Sequence, residues 1–185
     1  MLTLQTAPQT EAKYRPTPEF SIEAALRSLS SSMTRGAAET AGAFFCTQTS
    51  PGIERRKTPR LTDLGSLHCS QKNLGDKFEM TCNLAVERGE WEKMFADNES
   101  EQFKMDAFCE MANCICGTLI ADPSFTDEFG YMIPCVPCSG PCRILESAPT
   151  LRGAFRLAGI RVYFAFTVQE TAAVASRAMP LTVAA

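Results

Sequence analysis

The sequence predicts an α+β domain: a mainly antiparallel sheet with two long helices packed on one face. Three observations carry that expectation. Apolar residues recur at helical spacing in two long stretches, residues 18–44 and 99–121. They alternate strictly in residues 77–87 and 161–168. The order is helix, hairpin, helix, then strands, which suits helices covering one side of an antiparallel sheet.

Residues 1–17 are polar, contain two prolines and show no period, so they read as a flexible N-terminal arm. Thr17-Pro18 supplies a helix cap followed by proline at the first helical position. From there Ile22, Ala25, Leu26, Leu29, Met33 and Ala37 keep helical spacing to Phe44, although Gly36 and Gly42 weaken the second half. Residues 47–62 read as an exposed basic loop. Residues 63–71 and 77–87 form a predicted hairpin around Lys72-Asn73-Leu74-Gly75-Asp76, with Phe78, Met80, Cys82, Leu84 and Val86 on one face of its second strand.

A short helix is expected over residues 91–96. Asn98 with Glu101 resembles a capping box that starts the main helix at Glu99, and Asp122-Pro123 ends it at Ala121. Strands follow at residues 131–138, 151–157 and 161–168, with Ala158-Gly159 as a tight turn between the last two. In the final strand Val162, Phe164, Phe166 and Val168 share one apolar face. A strand of that kind at a sheet edge invites pairing with a second copy, so a homodimer is one expectation and an interior strand the other. Residues 171–185 form a small-residue C-terminal tail, which leaves one domain over 18–170.

Composition narrows the function. The chain has 185 residues, 45% of them hydrophobic, and a net charge of −3. That charge gives no broad electrostatic case for nucleic acid or an anionic membrane. The N-terminal segment has no basic-then-apolar leader and no stretch reaches membrane-spanning length, so a cytoplasmic protein is expected. The single histidine, His68, makes triad and multi-histidine chemistries poor candidates.

The main helix carries the best functional signal. At roughly 100° per residue, Asp106, Glu110, Asn113 and Gly117 span only about a sixth of a turn. Phe108, Met111, Ala112, Ile115 and Leu119 lie on the opposite side. A helix docked through that apolar stripe presents a carboxylate and a carboxamide, one turn apart, to solvent or to a partner.

The segment Asp106-Ala-Phe-Cys-Glu110-Met-Ala-Asn113-Cys-Ile-Cys-Gly117 resembles the signature of the CheC/CheX/FliY chemotaxis phosphatases. That signature is Asp or Ser, three residues, Glu, two residues, Asn, then a proline further along. Glu-Met-Ala-Asn followed by Gly117 is most similar to the CheX branch. Pro134 comes slightly early and Pro137 slightly late for the pattern. The first helix lacks a second Glu-x-x-Asn, since Glu23 is followed by Leu26 and Glu39 by Gly42, which points to the single-site CheX type.

The resemblance implies a CheX-like fold over residues 20–170 and hydrolysis of the aspartyl phosphate on a CheY-like receiver domain. It assigns Asn113 to orient the attacking water and Glu110 to pair with a receiver lysine. Asp106 and Gly117 would contact the partner. Mg²⁺ is expected on the phosphorylated receiver, with no cofactor bound by this chain. The same resemblance also allows a receiver-binding scaffold without catalysis, and it is consistent with dimers.

The nine cysteines offer a rival reading. Cys135, Cys138 and Cys142 fall within eight residues, and His68 or Cys69 would complete a tetrahedral zinc set; an iron–sulfur ligand set is the other metal option. Only one Cys-x-x-Cys is present, without a second pair at zinc-ribbon spacing. Cys109, Cys114 and Cys116 lie on different flanks of one helix and read as packing thiols.

Overall fold

A computed structural model of the protein describes residues 20–52, 67–140 and 148–171. The arm at 1–17, the Thr17-Pro18 cap, most of the basic loop, Cys142 and the tail beyond Thr171 lie outside the described residues.

Helix α1 is Ile22–Phe44, and its cap is Ser21, whose Oγ accepts from Ala24 N at 3.3 Å. The two glycines do not interrupt it. Gly42 is buried where the helix meets the next strand: a Cβ there would lie 2.9 Å from Thr47 O and from Thr49 Cγ2. Residues 49–52, expected as loop, form the edge strand β1 (Thr49–Gly52), where Pro51 is tolerated because one side needs no N–H.

The hairpin is longer than its composition suggests. Strands β2 (Leu67–Gly75) and β3 (Phe78–Val86) run almost to each other, so the turn is Asp76-Lys77 and residues 72–75 belong to the ladder. Asn73-Leu74-Gly75 has loop-forming composition, yet Asn73 is fully buried and its Nδ2 donates to Met80 O at 3.4 Å. Pairing across the ladder overrides local preference there.

Helix α2 is Arg88–Glu92, earlier than expected, and it buries Trp91. The indole Nε1 donates to Lys104 O at 2.9 Å, and the ring meets Phe45 and Phe108 edge-on. Helix α3 is Glu101–Ala121. Its cap is Ser100 rather than Asn98: Ser100 Oγ accepts from Phe103 N at 3.2 Å, satisfying a first-turn donor with the nearer hydroxyl. It ends at Ala121 as expected. Asp122 then caps a further helix, α4 (Pro123–Phe129), accepting from Ser124 N at 2.8 Å with proline at the first position.

The predicted strand at 131–138 is two short pieces, β4 (Met132–Pro134) and β5 (Cys138–Ser139), both paired with β2. Proline supplies no N–H to a ladder, so Pro137 between them fits the break. Strands β6 (Thr150–Leu157) and β7 (Ile160–Glu170) form a hairpin through Ala158 and Gly159, both at positive φ (49° and 88°), which matches the twist of the flanking strands.

Among the described residues the sheet order is β1-β6-β7-β3-β2-β4. β7 is therefore interior, hydrogen-bonded to β6 on one side and β3 on the other. Dimerisation by pairing through its edge is ruled out. Its apolar face finds its cover within the chain: Val162, Phe164, Phe166 and Val168 share one core with Leu26, Leu29 and Met33 of α1 and Met111 and Ile115 of α3. Each buried aromatic there contributes about 1.5–3 kcal/mol of transfer free energy. No helix among the described residues is long and apolar enough to cross a membrane.

Candidate functional site

Packing of α3 against α1 and β2 decides which of its faces is left open. Phe108, Met111, Ala112, Ile115 and Leu119 are all buried, as the wheel requires. On the reverse side Asp106 and Glu110 are exposed, and Asn113 and Gly117 are half-buried. The structure thus brings the four candidate residues onto one accessible stripe. A Cβ built on Gly117 meets nothing within 4 Å, so the end of the stripe is open.

These side chains hold one another. Asn113 Nδ2 donates to Glu110 Oε2 at 3.5 Å, and the Cys114 thiol approaches Glu110 Oε1 at 3.8 Å. Gln102 Nε2 donates to Asp106 Oδ1 at 2.7 Å. Burial pushes the Cys114 thiol up, and the Glu110 carboxylate beside it adds to the effect, so the sulfur stays protonated at neutral pH and serves as a donor.

One residue of the site was missed in the sequence. Gln71 on β2 is buried, and its Nε2 donates to Asn113 Oδ1 at 3.0 Å. The signal was available: Leu67, Cys69, Gln71 and Asn73 alternate onto the helix-facing side, and a glutamine among them stands where an apolar residue is expected.

The cysteines among the described residues do not form a comparable centre. Among the described residues no three His, Cys, Asp or Glu side chains converge to hold a metal ion. Cys135 and Cys138 flank the break in the β2 edge, where the Cys138 thiol approaches Val136 O at 3.8 Å. Burial lowers the His68 pKa, which keeps the ring neutral at pH 7. Cys109 is pushed up by burial, opposed by a hydrogen bond from Cys69 and reinforced by Asp106 and Cys138. A groove of about 600 Å³ lies at the β2–β3 turn, lined by Phe20, Leu74, Tyr131 and Ile133 among others; no residue of the stripe lines it.

No protein-family model matches the sequence, and neither does any curated protein. Solved structures do. The chemotaxis protein CheX from Vibrio vulnificus superposes with a TM-score of 0.58 at 9% identity, over 74% of this chain and 96% of that one. The fold is the one shared by CheX and CheC-like chemotaxis proteins. CheX from Desulfovibrio desulfuricans gives a TM-score of 0.58 at 13% identity, over 77% of this chain and 99% of its own. The CheX of a CheX–CheY–BeF3–Mg complex from Borrelia burgdorferi gives 0.53 at 10% identity, covering 75% and 96%. At such identities the likeness speaks for the CheX-like fold, and the expected α+β architecture with its sheet and helical layer stands.

The first helix also agrees with a single stripe. Glu23 pairs with Arg27 on the exposed side, while Leu26, in the place an asparagine would take, is buried.

Proposed function

We propose that this chain is a phosphatase for the aspartyl phosphate of a CheY-like receiver domain. One observation carries the reading: within a CheX-like fold, Glu110 and Asn113 share the exposed face of α3, with their side chains 3.5 Å apart. Phosphoryl transfer asks little covalent chemistry of a protein; it needs an in-line nucleophile and compensation of charge on the equatorial oxygens. The phosphorylated receiver holds the Mg²⁺ and a lysine. What the partner supplies is a placed water and a fixed docking register.

Asn113 suits the first task because a carboxamide accepts from and donates to water without titrating. Glu110, exposed and one turn away, suits the second by pairing with the receiver's lysine. Asp106 extends the acidic stripe, and Gly117 leaves room for the partner's backbone. The structure of a CheX bound to CheY with BeF3 and Mg supports a receiver as the partner class.

The test is single-turnover dephosphorylation of CheY-type receivers charged with acetyl phosphate, with and without this chain. Acceleration abolished by Asn113→Ala is expected. A receiver bound tightly but dephosphorylated at its own rate would make the chain a scaffold instead.

A further inference from the structure

Gln71 departs from what its place in the fold demands. It is 1% exposed on the helix-facing side of β2, next to Leu67 and Cys69 of the main core. Its Oε1 is buried without a hydrogen-bond partner among the described residues. A buried, half-satisfied carboxamide costs stability that leucine at the same position would not. Among the described residues, the one side-chain bond it makes is to Asn113 Oδ1.

That bond has a directional consequence. The terminal torsion of asparagine is broad and roughly two-fold, so an unanchored carboxamide exchanges its oxygen and nitrogen freely. Here the Glu110 carboxylate, which can only accept, draws Nδ2, and the interior donor Gln71 Nε2 claims one lone pair of the Oδ1 on the other side. The second Oδ1 lone pair and the second Nδ2 hydrogen are left for a water. We infer that Gln71 is a positioning residue that fixes the carboxamide sense of Asn113. This rests on the proposed phosphatase reading. Gln71 is 1% exposed and reaches the open face only through Asn113; its part is to keep the acceptor and donor of Asn113 from trading places.

The test uses the full chain with Gln71→Leu and the equally long, unbranched Gln71→Met, both lacking the donor. The side-chain NH₂ signal of Asn113, identified by its loss in Asn113→Asp, is followed by ¹⁵N NMR. The same proteins are assayed on a CheY-type receiver charged with acetyl phosphate, and titrated with that receiver in its BeF3–Mg form. The expected result is a disordered Asn113 amide, a saturating rate lower by about tenfold, and an unchanged receiver affinity. An Asn113 amide as ordered as in wild type, or an undiminished saturating rate, overturns the inference. So does a loss confined to receiver affinity, since that marks a distorted docking face. A wild-type chain that accelerates nothing refutes the proposed function instead, and the amide signal still decides whether Gln71 holds Asn113.

Discussion

Asn113 Nδ2 lies 3.5 Å from Glu110 Oε2, across one turn of α3 and on the face that packing leaves open. The contact is long for a hydrogen bond to a carboxylate, and Glu110 is exposed, so the carboxylate is available for a stronger partner. If that partner is a receiver lysine, Glu110→Ala weakens association by about tenfold and Glu110→Lys by more, because two like charges then meet. Titration with a BeF3-activated receiver measures both. Equal affinity in all three proteins would reduce Glu110 to a solvated surface group.

Asn113→Ala is expected to lose stimulated dephosphorylation. It is also expected to lose about 1–2 kcal/mol of stability, although it opens no core cavity, because it leaves Gln71 with neither amide atom bonded. Adding Gln71→Leu should restore that stability and not the activity. Urea unfolding of the four proteins of the cycle decides the coupling.

Gly117 should separate folding from docking. It sits inside α3 with open space around it, so Gly117→Ala gains about 0.5–1 kcal/mol of helix stability. The added methyl projects toward the partner, and receiver affinity should fall. A variant that is both more stable and equally well bound would remove Gly117 from the interface.

Phe166→Asp places a carboxylate in the core beneath α1 and α3, where Phe166 is 0% exposed. The expected outcome is loss of the cooperative unfolding transition, since an unpaired buried charge added to the lost ring exceeds the usual stability of a domain. A folded Phe166→Asp protein, monitored by circular dichroism and sedimentation, would contradict the burial of this face of β7 beneath the helices.

His68 gives stability a pH dependence. Its folded-state pKa is lowered from 6.5 by burial, so the unfolded chain binds the proton more readily. The contribution is complete above pH 6.5 and is lost as pH falls from there through the lowered folded-state value, because the unfolded state takes up the proton first. Melting temperatures between pH 7.5 and 5.5 should therefore drop in wild type and flatten in His68→Gln. Identical slopes would assign the effect elsewhere.

Two features of the chain differ from their sequence expectation. Asn98 stands at capping-box spacing from Glu101 and predicts a helix from Glu99, whereas Ser100 is the hydroxyl that reaches a first-turn N–H. Lys72-Asn73-Leu74-Gly75-Asp76 has turn composition, although eight paired positions of the β2–β3 ladder carry the strand to Leu74 and pairing with β4 includes Gly75. The first is a contest between two local caps; the second sets local preference against strand pairing, which only the assembled sheet decides.

The α+β class, the presence of the two long helices, the strands of the last hairpin and the membership of the α3 stripe are legible in the sequence. These follow from period alone: 3.6 residues per turn and 2 per strand assign each side chain to a face before any contact forms. Tertiary structure decided what period cannot encode. The alternation of β7 is the same at an edge or in the middle, and only the sheet order shows both its sides occupied. Likewise Gln71 and Asn113 are 42 positions apart, and it is the seating of α3 on β2 that joins a core glutamine to a surface asparagine. Face is a local property of the chain, whereas which faces and edges meet depends on long-range packing.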